Sequence, residues 1–269
     1  MRLLGLIIPL EGAEGGEHWP PGVHSFDPRP LFPGAGIDWV SNNLFQAVLG
    51  AVLVIAVWIW LANGHQVVPT RKQFVGEQVY NLLRNSIARD ILGHDYRKYL
   101  PYLVAMFSFI LVNNLFGQFF LFMFPTFSRV GYAYALAIMT FLLYNGAGIA
   151  KYGVVNYLKR MTIPPGVPVA LWPIIIPLEF ASNFIVRPIT LALRLFANLF
   201  AGHLVVLVFV MGGTLLVQQA NAIYIIAGGA AFVMSFAIFA LEIFVACLQA
   251  YIFTVLTAQY VASAIAEEH

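Results

Sequence analysis

Two apolar stretches near the C-terminus, roughly residues 173–211 and 221–265, constrain this chain more than any other feature. As straight helices they would run about 58 and 67 Å, at ~1.5 Å per residue. The hydrocarbon core of a bilayer is only ~30 Å thick. The stretches must therefore tilt steeply, kink or split. Pro177 and Pro188 are kink positions in the first, and Gly228–Gly229 is one in the second. A split would need a polar turn. Only Arg187–Pro188 offers one, and it lies too close to Arg194 to leave that residue at mid-membrane. The expectation is two long, tilted helices forming an antiparallel hairpin, turned near Gln218–Asn221. Composition agrees, with 61% hydrophobic and only 10% charged residues, where a soluble domain carries about 25% charge. The chain reads as an all-α integral membrane protein.

The remaining chain supplies three more crossings. Residues 1–38 mix a short apolar run with Glu11, Glu14, Glu17 and a Pro/Gly-rich stretch, and are too broken to span. They read as an irregular segment outside the membrane, with residues 39–269 as the membrane domain. Residues 39–62 form a first span flanked by Trp39, Trp58 and Trp60, aromatics suited to the interface. Residues 70–93 place Val75, Val79, Leu82, Leu83, Ile87 and Ile91 on one helical face and charged residues on the other. That pattern is an amphipathic helix lying on the membrane surface. Residues 99–124 form a second span broken by Asn113, Asn114 and Gln118, and residues 132–158 a third. The total is five crossings and one surface helix.

Charge placement sets orientation. With this topology Arg71, Lys72, Arg84, Arg89, Arg97, Lys98, Lys159 and Arg160 share one side, against Arg2, Arg29 and Arg129 on the other. The positive-inside rule makes the first side cytoplasmic. The N-terminus then lies outside and Glu267–His269 inside. The single cysteine, Cys247, supports neither a disulfide framework nor a thiolate metal site. No metal-ligand spacing, phosphate-cradling glycine loop or nucleophile motif stands out. Neither a cofactor nor a nucleic-acid partner is expected, and the lipid bilayer is the surrounding medium.

Polar residues inside the last two stretches carry the functional signal. Arg194 lies in the middle of an apolar run. An arginine at the centre of a membrane helix costs about 2.5–3.5 kcal/mol on insertion scales, and it cannot escape the cost by deprotonating. Such a residue faces a partner or a water-filled cavity and marks an ion path. In an antiparallel hairpin, one register sets Arg194 level with Gln249 and His203 level with Glu242. The second pair then lies about 13 Å of helix further outward. A histidine and a carboxylate at one depth make a proton-accepting pair near neutral pH. Asn198 is one turn from Arg194 on the same face. Toward the cytoplasm, Glu179, Ser182, Asn183 and Thr190 form another polar group, and Asn114 of the second span can line a path.

A proton-coupled secondary transporter with an Arg/His/Glu relay fits such residues too, but those proteins usually carry internal repeats, and no convincing repeat is found. A structural subunit with a buried ion pair leaves His203, Gln249 and Glu179 unexplained. The motifs point further. LALRLFANLFAGH, residues 191–203, followed by LEIFVACLQAYIFTVLT, resembles subunit a of the F-type ATP synthase, and NNLFG in the second span is similar to that family's NLxG. The resemblance covers about residues 40–265. It implies that Arg194 is the essential arginine facing the rotor ring, with Asn198 and Gln249 as its polar neighbours. His203 and Glu242 match the outer pair, which some bacterial relatives carry exchanged. Glu179 matches an inner carboxylate, one residue further from the arginine than in some relatives. The implied activity is proton translocation through two offset half-channels, with no catalytic site in this chain but a place in the H⁺-transporting complex. The implied partners are the c-subunit ring, subunit b of the peripheral stalk and the rest of the F1Fo assembly, in a bacterial plasma membrane.

Overall fold

A computed structural model describes residues 41–63, 70–118, 126–163, 168, 171–219 and 221–266. The expected N-terminal segment, the proline-rich loop before Trp172 and Glu267–His269 lie wholly or mainly outside the described residues. Among the described residues the elements are all helical. They are α1 (Asn42–Ala62), α2 (Arg71–Leu83), α3 (Asp90–Leu92), α4 (Tyr96–Phe116), α5 (Val130–Tyr152), α6 (Val154–Thr162), α7 (Trp172–Ala181), α8 (Arg187–Gln218) and α9 (Ala222–Ile265). Joined across their irregular turns, they give five helices long and apolar enough to cross a membrane: Asn42–Ala62, Arg71–Phe116, Val130–Tyr152, Trp172–Gln218 and Ala222–Ile265. The all-α, five-crossing expectation is met.

Several boundaries differ from the sequence reading, each for a local reason. The third crossing ends at Tyr152, short of the expected 158, because Gly153 takes φ +76°, which only glycine adopts without strain. The following residues form the separate short helix α6, which carries Lys159 and Arg160 at its end. In the last hairpin the break falls between the two expected proline kinks, as a π-helical turn over Ser182–Val186. Pro188 has no N–H for the carbonyl four residues back and its ring crowds that carbonyl, so the wider turn before it relieves the mismatch. Gly228 serves close approach and does not interrupt α9, which runs unbroken to Ile265. A Cβ on Gly228 would come 2.8 Å from the Gly213 carbonyl oxygen, so the two backbones nearly touch there.

The helix expected to lie on the membrane surface also departs in phase. A π-helical turn at Arg84–Arg89 follows α2, and across its end the buried positions step by five residues, from Ile87 to Leu92. Leu83, Ile87 and Leu92 are buried as a helical face should be, but Gly76 joins them, while Val75 and Leu82 are exposed with Phe74. Gly93, at φ +59°, ends this helix before the second crossing begins.

The chain divides into two compact units. The first holds the start of α1, the end of α4, the segment through Arg129, and α8 and α9 between Phe196 and Ala250. Buried amides stitch it together. Thr126 Oγ1 donates to Asn113 Oδ1 at 3.0 Å, and Asn43 Nδ2 donates to the Thr126 carbonyl at 3.4 Å. Each such pairing removes the cost of a polar group in an apolar interior. The second unit holds residues 54–108, 130–195 and 251–269. In it Tyr157 lies fully buried against Gly148, where any Cβ would collide with the ring, and its hydroxyl donates to Asn145 Oδ1 at 2.9 Å. Burial pushes the Tyr157 phenol well above its ordinary value. Lys151 Nζ and the Tyr152 hydroxyl both donate to the Ile265 carbonyl, at 2.9 and 3.0 Å, capping the end of α9.

Candidate functional site

The first unit contains a small cavity, lined among others by Gln118, Asn198, His203, Glu242, Val245 and Gln249. One wall is the expected pair. His203 Nδ1 lies 3.3 Å from Glu242 Oε2, and both residues are buried. His203 Nε2 lies 2.9 Å from the Gly117 carbonyl oxygen. A carbonyl can only accept, so Nε2 carries hydrogen whatever the ring's charge. Nδ1 is then the nitrogen free to take or give a proton, and it faces the carboxylate. Were both Nδ1 and Glu242 bare, two sets of lone pairs would oppose each other in a buried site. A hydrogen on either Nδ1 or Oε2 would turn that opposition into a hydrogen bond.

Close backbone packing fixes this geometry. Gly202 precedes His203 on α8, and a Cβ there would collide with Glu242 Oε1. Glycine at this position lets the carboxylate lie against the helix. Gln118 Nε2 donates to Glu242 Oε2 at 3.1 Å. Five residues before His203, Asn198 Nδ2 donates to Gln249 Oε1 at 2.6 Å. Asn114 is fully buried and donates to the Ala246 carbonyl at 3.2 Å. Among the described residues, Asn114 Oδ1, Gln118 Oε1, His203 Nδ1, Glu242 Oε1 and Gln249 Nε2 have no hydrogen-bond partner. His203 Nδ1 nonetheless faces Glu242 Oε2, so four buried polar atoms in one small region have no hydrogen-bond partner.

The expected register holds for His203 and Glu242. Gln249, however, makes its bond to Asn198, the residue one turn beyond Arg194. The neutral Asn198 amide offers the complementary donor that Gln249 accepts. Arg194 itself is exposed on α8 and, among the described residues, has no ion-pair partner. In the second unit Thr190 is exposed one turn before it, and in the first unit Ala197 and Ala201 of α8 are exposed. Small residues there leave room for another helix to approach closely.

The second unit gathers part of the inner polar group. Asn183 is buried; its Nδ2 donates to the Met161 carbonyl at 2.7 Å and to Glu179 Oε2 at 3.2 Å. The Tyr144 hydroxyl donates to the Asn183 carbonyl at 2.8 Å. Ser182 lies half-buried in the π-helical turn. Thr190 does not join this group: it is exposed, and its hydroxyl donates to the Val186 carbonyl of its own helix at 2.8 Å. Tyr144 escaped the sequence reading, since an aromatic in an apolar run reads as packing. Gln118 was legible only as part of a polar break; it lies in the turn that follows α4.

Fold and site together define a multi-pass, all-α membrane protein with a buried histidine–carboxylate pair and an exposed arginine on α8. The family model described as "ATP synthase A chain" matches residues 44–262. The chain is 44% identical to ATP synthase subunit a of a Nocardioides species over 268 residues, covering 96% of each chain. It is 40% identical to ATP synthase subunit a of Pseudarthrobacter chlorophenolicus, covering 99% of this chain and 100% of that one. The chain belongs to the ATP synthase A chain family.

Proposed function

We propose that this chain is the membrane stator subunit through which protons reach and leave the rotor of a bacterial F-type ATP synthase. The observation that carries the reading is Arg194: a permanent cation amid apolar sequence, exposed on a helix face of small residues, with no ion-pair partner among the described residues. A carboxylate on each c subunit of a ring is the partner such a face fits.

Protons come from outside the cell and pass the His203–Glu242 pair, where Nδ1 and Oε2 exchange them. They continue past Asn198 and Gln249 to a ring carboxylate. Arg194 favours that carboxylate's charged form, so it releases the proton it carries before taking the next. Once neutralised, the carboxyl group can move into lipid, where a charged one could not. After most of a turn the proton leaves toward the cytoplasm past Asn183 and Glu179, and Arg194 blocks a direct leak between the two paths. Each proton delivers about 2.3 kcal/mol per 100 mV, so several are needed per ATP. The N-terminus lies outside, the C-terminus in the cytoplasm, and subunit b of the peripheral stalk holds the chain against rotation.

The test is ATP-driven acidification of inverted membrane vesicles from a bacterium lacking this chain. Acidification is expected to be absent, and to return with the wild-type chain only when the F1 part is also bound. Proton transport by the chain with F1 stripped and the ring absent would instead favour a secondary transporter.

A further inference from the structure

The Gly117–Gln118 turn at the end of α4 touches both members of the proton pair. Its carbonyl at Gly117 accepts from His203 Nε2, and its amide at Gln118 donates to Glu242 Oε2, the same oxygen that faces His203 Nδ1. Gln118 Oε1, meanwhile, is buried and has no hydrogen-bond partner among the described residues. A glutamine is one of the few uncharged side chains that can present either a strong donor or a strong acceptor by turning its amide over.

We propose that Gln118 is a positioning residue for proton transfer between His203 and Glu242, its amide following the proton by reversal. This inference rests on the proton-path reading above. With Glu242 ionised, Gln118 Nε2–H holds Oε2 in line with the imidazolium Nδ1–H. When the proton crosses, the Nδ1–H bond breaks and an Oε2–H bond forms. The histidine becomes neutral, retaining its hydrogen on Nε2 against the Gly117 carbonyl, and the carboxylate becomes a carboxylic acid. The new hydroxyl then rotates off Nδ1 and donates to Gln118 Oε1, the amide having turned over, which leaves Nδ1 bare for the next proton. In both states the buried carboxyl keeps a partner without adding charge to the path.

ATP-driven pumping is measured in inverted vesicles and normalised to membrane-bound complex, for Gln118→Leu, Gln118→Met, Gln118→Glu and, as a control, Arg194→Ala. Leucine and methionine keep roughly the volume and lose the amide. They are expected to slow pumping about tenfold, the equivalent of one hydrogen bond to a charged group. Glutamate is expected to retain more activity than either, because two facing carboxyls share one proton and so still offer a donor. A merely structural position predicts the reverse order, with an apolar residue tolerated and a charge damaging. Wild-type rates in the leucine and methionine variants, or rates above the glutamate variant's, would overturn the inference. If Arg194→Ala is silent in those same vesicles, only the role of Gln118 has failed. If Arg194→Ala pumps normally, the proton-path reading itself has failed.

Discussion

Arg194→Ala is expected to abolish ATP-driven proton pumping while leaving the complex assembled. Assembly survives because the guanidinium is exposed and, among the described residues, forms no ion pair. Its removal strands no buried counter-charge, and alanine is the best helix former. Function fails because the ring carboxylate loses the one fixed cation that favours its charged form. Two unit charges ~4 Å apart attract by about 4 kcal/mol at an effective dielectric constant of 20, equivalent to about a thousandfold in proton release. Membranes carrying normal amounts of complex and pumping at wild-type rate would show that Arg194 is not at the centre of the path.

Glu242→Gln should cut transport on the order of 100-fold, the scale of losing one positioned proton-transfer group. Glutamine fits the same space beside Gly202 and can still bond Gln118, so packing around the cavity is preserved. What disappears is the group that exchanges a proton with His203 Nδ1. Asn198→Ala removes only a neutral hydrogen bond to Gln249, worth about 1 kcal/mol and so about fivefold. The ratio between these two variants, measured as pumping per assembled complex, separates a proton carrier from a polar neighbour. Equal rates would remove Glu242 from the path.

Much of this was legible in the residues, for identifiable reasons. Membrane crossings follow from apolar length alone, because a bilayer demands about 20 residues per span and internal backbone pairing. The His203–Glu242 contact followed from the regular rise of two antiparallel helices. The pairing of Gln249 with Asn198 did not, since a uniform register ignores how far each side chain reaches. Nor did the π-helical turns, which set the phase of the surface helix and displaced the break in the last hairpin from the two prolines to Ser182–Val186. Gln118 and the Gly117 carbonyl were invisible as partners of the pair because backbone carbonyls carry no sequence signature. The short helix α6 was hidden by a single glycine within an apolar run.

The most direct test of the central claim is disulfide cross-linking between α8 and the rotor ring. Cys247, the single native cysteine, is first replaced by serine. Cysteines are then placed one at a time along α8 and opposite the ring carboxylate, in the assembled complex. Ala197→Cys and Ala201→Cys, on the exposed face around Arg194, are predicted to cross-link, whereas Ala192→Cys and Leu195→Cys, on the buried face, are not. Cross-links from positions 192 and 195 with none from 197 and 201 would mean that Arg194 faces away from the rotor, and would contradict the account.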